Sequence, residues 1–184
     1  VEGYPGPVYK SFASREEAET AYAEGPELHI RPKCASRKKA EAERQDAALL
    51  PIVGDAWAVD AACSGNPGPM EYRCVDLKDG KEVFHFGPVH GTNNIGEFLA
   101  IVHALALLQK MGEKRTIYSD SRNAMLWVKG RRCKTKLELN DKTKPLYDII
   151  ERAERWLNTH PIECPILKWQ TDQWGEVPAD FGRK

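Results

Sequence analysis

Apolar positions recur along this chain with two different periods. Residues 57–62 are a short apolar run ending at the turn Ser64-Gly65-Asn66-Pro67-Gly68, which predicts a strand. Residues 70–76 and 82–89 flank a turn at Asp79-Gly80 and predict a hairpin. The period then lengthens. Phe98, Ile101, Val102, Leu105 and Leu108 fall at helical spacing and predict a helix over 94–110. A fourth strand is predicted at 116–119, then a helix over 121–129 stopped by Gly130. Leu146, Ile149, Ile150, Ala153 and Leu157 share one face of a helix predicted over 145–157. Residues 166–169 give a fifth strand, and Pro178 is placed to open a last helix at its first turn. Three antiparallel strands followed by alternating strands and helices imply an α/β fold, a mixed sheet covered by helices.

Upstream of this region the pattern weakens. Residues 1–27 hold a Gly/Pro turn at 3–7, an extended piece at 8–12, and Ser14 with Glu17 three positions on, a capping box opening a short helix. That stretch is too small to hold a core alone. Residues 28–54 are rich in charge and alanine and poor in apolar residues before Leu49, which reads as a partly helical linker or a docked helix. Residues 55–184 form the main domain. The chain begins at Val1 rather than Met, so a longer natural protein is expected.

Charge changes the picture only locally. The 27 basic and 27 acidic residues cancel, so bulk electrostatics select no partner. Between Lys110 and Lys144, however, eleven Lys/Arg stand against four acids. Such a stripe suits a polyanion, although a solvated helix face would give the same composition. Five scattered cysteines without a C-x-x-C pair argue against a disulfide framework and a zinc site, and for a reducing, cytoplasmic setting. No apolar run approaches the roughly 18–20 residues of a membrane span. A monomer is expected.

Four acids fall where a fold does not need them. Asp60 lies inside the first apolar strand, Glu97 on the first turn of the long helix, Asp120 directly after the fourth strand, and Asp180 in the first turn of the predicted last helix. Strand ends are where α/β sheets build sites. If the first and fourth strands are neighbours, Asp60 and Asp120 approach each other. Clustered carboxylates repel, and a hard divalent cation resolves that repulsion. Two such ions can activate a water and stabilise the leaving oxygen of a phosphodiester. Singly, Asp120 could be a helix cap and Glu97 and Asp180 could serve helix dipoles. Asp60 is the hardest to explain so, because a carboxylate in the apolar stretch 56–62 costs stability unless something compensates it.

The segment Val59-Asp60-Ala61-Ala62-Cys63-Ser64-Gly65-Asn66-Pro67-Gly68 resembles the first motif of the ribonuclease H type 1 family. Thr92-Asn93-Asn94-Ile95-Gly96-Glu97 resembles its Thr-Asn-Asn motif with the second acid. Tyr118-Ser119-Asp120-Ser121 resembles the third, and Gly175-Glu176-Val177-Pro178-Ala179-Asp180 the last. The resemblance covers about 55–184. It implies a ribonuclease H-like fold, a mixed five-stranded sheet in the order βββαβααβα flanked by helices. It implies hydrolysis of the RNA strand of RNA–DNA hybrids, with Asp60, Glu97, Asp120 and Asp180 holding two Mg²⁺ ions, Mn²⁺ being a possible substitute. Cys63, Asn66, Thr92 and Asn94 match positions that line the hybrid, where a 2′-hydroxyl tells RNA from DNA. Turn, cap or small-hydrophobe roles would also account for them.

Lys129, Arg131 and Arg132, with Lys134 and Lys136, are the candidates for gripping phosphate. Trp127 is placed either against a sugar or in the core. Many relatives carry a His in the loop before the last acid; between Trp169 and Asp180 this chain has none, and Glu176 falls near an acid the family often has there. Residues 1–12 with Glu16-Glu17-Ala18 resemble the second half of the small viroplasmin-like hybrid-binding domain, where Tyr4, Tyr9, Lys10 and Phe12 could contact nucleic acid. Arg183 and Lys184 are further candidates for touching substrate. The alternatives are a DNA nuclease of the resolvase or integrase kind on the same fold, and a hybrid-binding protein without catalysis.

Overall fold

The computed structural model describes residues 14–24 and 51–182. The chain divides into two compact units, residues 1–50 and 51–184. In the first, helix α1 (Arg15–Glu24) begins after Ser14 and carries an exposed Arg15–Glu19 pair at 2.8 Å, one turn apart. The extended piece expected at 8–12, the nucleic-acid candidates among residues 1–12, the linker up to residue 50, and Arg183 and Lys184 lie outside the described residues.

The second unit is built from β1 (Ala56–Cys63), β2 (Gly68–Asp76), β3 (Glu82–Gly91), α2 (Asn93–Met111), β4 (Thr116–Ser119), α3 (Arg122–Lys129), α4 (Lys144–Thr159), β5 (Ile166–Lys168) and α5 (Thr171–Trp174). The strands form one mixed sheet in the order β3-β2-β1-β4-β5. β1 pairs antiparallel with β2, and β2 with β3; β1 and β4, and β4 and β5, are parallel. The first three strands are consecutive and joined by short turns, so they pair antiparallel, whereas β4 and β5 return through helices. The expected βββαβααβα order is therefore the observed one.

Its last helix lies elsewhere than expected. Helix α5 occupies Thr171–Trp174, and Pro178-Ala179 form a turn closed by the Asp180 N–H on the Val177 carbonyl at 2.8 Å. Helix growth is stopped locally. Gly182 sits at φ 63°, a left-handed conformation, and its N–H donates to the Asp180 carboxylate at 2.5 Å. That local bond competes with the helical ladder.

Alternation in β1 sorts its residues between two cores. Trp57, Val59 and Ala61 join Ile95, Phe98, Leu99, Ile101 and Val102 of α2 in the main core. Ala56 and Ala58 face the opposite side and pack with Val75, Tyr118, Trp169, Val177 and Ala179. α2 is buried over most of its circumference because it fills the space between the sheet and α4, whose apolar face presents Leu146, Ile150, Ala153 and Leu157. Burying side chains such as Phe98 or Leu157 contributes about 1.5–3 kcal/mol each. On the opposite face, Tyr118, Trp169 and Trp174 meet edge-on, with ring centroids 5.1–5.9 Å apart. This second core holds the chain's last turn against the sheet.

Candidate metal centre

Register brings the acids together. β1 and β4 run in parallel with Ala58 opposite Tyr118. Asp60 and Asp120 each lie two residues further on, at the same level of the sheet. Glu97 arrives from α2. A Cβ on Gly96 would lie 2.7 Å from both the Ala61 Cβ and the Met70 sulfur, so only glycine lets the helix approach β1 this closely. The result is that Asp60, Glu97 and Asp120 each offer a carboxylate oxygen, and these oxygens lie within 4.8 Å of one another.

The cluster is electrostatically costly as it stands. Asp60 is only 8% exposed. Burial, reinforced by the charges of Asp120, Glu97 and Asp180, pushes its carboxyl from an ordinary 3.8 up to about 8. Burial likewise raises Glu97 from 4.5 to about 7, although the Ser121 hydroxyl and the nearby Lys168 oppose the rise. Ser121 Oγ donates to Glu97 Oε2 at 2.5 Å and Asn93 Nδ2 to Oε1 at 3.0 Å, which fixes both oxygens. Asp120 Oδ1 is buried with no hydrogen-bond partner among the described residues.

The purely structural roles open to these acids are taken elsewhere. The cap of α3 is Ser121, whose side chain accepts from the Ala124 N–H at 3.2 Å, and not Asp120. Glu97 is the fifth residue of α2, in its second turn rather than its first, too deep to serve the dipole at the helix start. Asp180 sits in a turn rather than a helix. Three carboxylates with an orphaned oxygen among them form an all-oxygen donor set, which fits a hard divalent cation such as Mg²⁺ or Mn²⁺.

Asp180 stands beside these three rather than within their 4.8 Å group. It lines a cleft of about 320 Å³ with Asp60, Cys63, Ser64, Asn93 and Phe181, so it meets the trio on the side of Asp60. Its position is set from β2. Arg73, directly opposite Asp60 in the register, donates from Nε to the Ala179 carbonyl at 2.8 Å and from Nη2 to the Asp180 carbonyl at 2.5 Å. The guanidinium also lies 4.8 Å from the Phe181 ring centroid.

The other expected site residues are distributed unevenly. Cys63 lines the cleft, half-exposed, with Sγ 3.4 Å from the Gly91 carbonyl. Asn66 is exposed in the turn after β1. Thr92 precedes α2 and its carbonyl accepts from the Ile95 and Gly96 N–H groups. Asn94 is exposed, whereas its neighbour Asn93 holds Glu97. Lys129 and Arg132 are exposed around the end of α3; Arg131 is directed inward and donates to the Leu157 carbonyl at the end of α4. Arg115, counted in the basic stripe, is engaged by Asp55, Asp76 and Glu113 at 2.7–3.4 Å. The stripe is therefore less free than its composition suggests. Trp127 is half-buried and meets Phe98 edge-on at 6.2 Å, a core contact. Glu176 is exposed in the loop before Val177.

Sequence reasoning missed Asn93, Ser121, Lys168 and Arg73. Lys168 pairs across from Ser119, one residue before Asp120, so a register would have flagged it. Arg73 carried a usable signal, a charge inside the run Tyr72-Arg73-Cys74-Val75.

The chain is similar to known proteins over most of the second unit. Residues 55–168 match the family model described as RNase H, and residues 1–22 match that described as Ribonuclease H1 N-terminal domain. A ribonuclease H of Neorickettsia sennetsu is 36% identical over 138 residues, covering 68% of this chain and 87% of its own. One of Rickettsia massiliae is 30% identical over 131 residues, covering 66% and 82%. Among solved structures, an RNase H1 of Halobacterium salinarum aligns with a TM-score of 0.40 at 26% identity, covering 64% of this chain and 86% of that one.

Proposed function

Because this chain belongs to the ribonuclease H family, we propose that its converging carboxylates serve hydrolysis of the RNA strand of RNA–DNA hybrids. The observation that carries the reading is the meeting of Asp60, Glu97 and Asp120 within 4.8 Å, with one Asp120 oxygen left unpaired. These three residues would hold the metal, and Asp180 would complete the set from across the cleft. When bound, paired divalent cations supply an activated water and charge stabilisation at the departing 3′-oxygen. We assign Mg²⁺ as the resident ion, with Mn²⁺ able to replace it.

The chain's own residues do the rest. Asn93 and Ser121 hold the Glu97 carboxylate in one orientation, so little reorganisation is needed when charge arrives. Lys168 places a cation beside Asp120 and Glu97, offsetting part of their repulsion. Cys63, Asn66, Thr92 and Asn94 are disposed along the β1 turn and the start of α2, where we place contacts to the hybrid backbone and 2′-hydroxyls. Exposed Lys129 and Arg132 would meet phosphate further along, while Arg131 contributes by bracing their segment against α4. Glu176, in the loop beside Asp180, is assigned a supporting role at the cleft.

We take residues 55–184 as the catalytic domain, 28–54 as a linker and 1–27 as belonging to a hybrid-binding domain; the match over residues 1–22 supports the last. Cys63, Cys74, Cys133 and Cys164 are free thiols, which suits a monomer working in the reducing cytoplasm. No helix among the described residues is long and apolar enough to cross a membrane.

The deciding experiment is cleavage of an end-labelled RNA–DNA hybrid with Mg²⁺ and with EDTA, beside double-stranded RNA and double-stranded DNA. Metal-dependent release of RNA fragments from the hybrid alone is expected. Equal cutting of double-stranded DNA would favour a DNA nuclease. Binding without fragments in either Mg²⁺ or Mn²⁺ would leave a hybrid-binding protein.

A further inference from the structure

We infer that Arg73 is a positioning residue that clamps the final acid of the site onto the strand carrying the first. The inference rests on the hydrolytic reading above and adds to it the element that holds Asp180. Arg73 lies in the middle of β2 with Asp60 opposite on β1 and His85 opposite on β3. Its side chain leaves the sheet toward the last turn of the chain. There its fork engages two successive carbonyls, those of Ala179 at 2.8 Å and Asp180 at 2.5 Å. The same guanidinium lies over Phe181, 4.8 Å from the ring centroid, and His85 borders that ring at 5.9 Å. Three consecutive residues, 179–181, are thus held by one side chain.

The clamp matters because it reaches the backbone of Asp180 itself. Asp180 is not on a helix, so no ladder of backbone bonds orients it. Val177 and Ala179 are buried in the smaller core and anchor the turn on one side. The Asp180 carboxylate itself accepts the Gly182 N–H, a bond made within the turn. Among the described residues, Arg73 is the side chain of the sheet that hydrogen-bonds the Asp180 backbone. A guanidinium is suited to this task, since its planar fork spans two acceptors at once; a lysine ammonium acts as a single point. Its remaining partner, Glu82 at 3.7 Å, is half-exposed and belongs to the surface.

The test compares Arg73→Gln, Arg73→Lys and Glu82→Gln with the unaltered chain. The first readout is hydrogen–deuterium exchange without metal, which is independent of turnover. Amides of residues 179–182 should exchange at least about tenfold faster in Arg73→Gln, with β1 and α2 unchanged, because two charge-assisted bonds are lost. Arg73→Lys should show the same change, smaller, and serves if the glutamine variant fails to fold. Glu82→Gln should match the unaltered chain. The second readout is steady-state cleavage of the hybrid. kcat should fall by about 10–100-fold in Arg73→Gln while KM stays within about twofold, since the acid is displaced but the substrate surface is not.

Unchanged exchange at 179–182 in a folded Arg73 variant would overturn the clamp. So would a loss confined to KM, or an equal loss in Glu82→Gln. If the unaltered chain cleaves no hybrid, the hydrolytic reading fails, while the exchange comparison still decides whether Arg73 holds the turn.

Discussion

Replacing Asp60 by Asn should make the metal-free protein more stable, increasingly so as the pH rises. In the fold the Asp60 carboxyl is raised from 3.8 to about 8, chiefly by burial. Between those values the folded chain binds a proton that the unfolded chain has released. Stability contributed by that proton is fully present below about pH 4 and is lost as the pH climbs through 8. At about 1.4 kcal/mol for each tenfold change in proton affinity, the full effect has an upper limit of about 6 kcal/mol. Water entering the cleft screens part of it, leaving about 2–3 kcal/mol at pH 9. For a domain of this size that corresponds to roughly 6–12 °C in Tm. The Asn side chain keeps the shape and removes the charge, so it escapes the penalty. Thermal melts in EDTA from pH 4 to pH 9 measure the gap, which should be near zero at pH 4 and widest at pH 9. Saturating Mg²⁺ should close or reverse it, because the carboxylate gains a cation that the amide cannot hold. A gap independent of pH, or an Asn variant no more stable at pH 9, would refute the account of Asp60 as a destabilised, metal-awaiting carboxylate.

Other consequences can be checked more briefly. The same Asp60→Asn variant should lose at least about 100-fold in kcat on hybrid and still retard it in a gel, if the cation site serves chemistry and not docking. Ser121→Ala removes both the cap of α3 and a donor to Glu97; it should cost about 1 kcal/mol in urea melts and raise the Mg²⁺ concentration for half-maximal activity about tenfold. Gly96→Ala forces a methyl against Ala61 and Met70; a loss of about 1–3 kcal/mol in denaturant unfolding is expected, with activity falling further than stability because α2 carries Glu97. Arg131→Ala, whose guanidinium is tied to α4, should lower stability, whereas Lys129→Ala and Arg132→Ala should instead flatten the salt dependence of hybrid binding measured by fluorescence anisotropy.

The strands, the long helix and the identities of the clustered acids were legible in the chain itself. Periodicity is a local property, and the main core is its direct consequence: Trp57, Val59 and Ala61 alternate inward, and Phe98, Ile101 and Leu105 recur at one helical face. Asp60 stood out because an acid in an apolar strand has no local reason to be there. What remained hidden depended on register and on competition between neighbours. Asp120 read as a possible cap of the helix that follows, and only the packed structure gives that cap to Ser121 and leaves an Asp120 oxygen unpaired. Arg115 and Arg131 read as surface charge until the fold surrounded them with acceptors. Pro178 suggested a helix that the left-handed Gly182 and the Asp180 side chain prevent. Arg73 has nothing in its own neighbourhood to name Ala179 and Asp180 as partners, because they lie more than a hundred residues away. Local sequence thus determined which residues are chemically unusual. Tertiary structure decided which of them meet, since a hydrogen bond or a metal cage depends on distances of a few ångströms, and only the pairing of distant strands sets those distances.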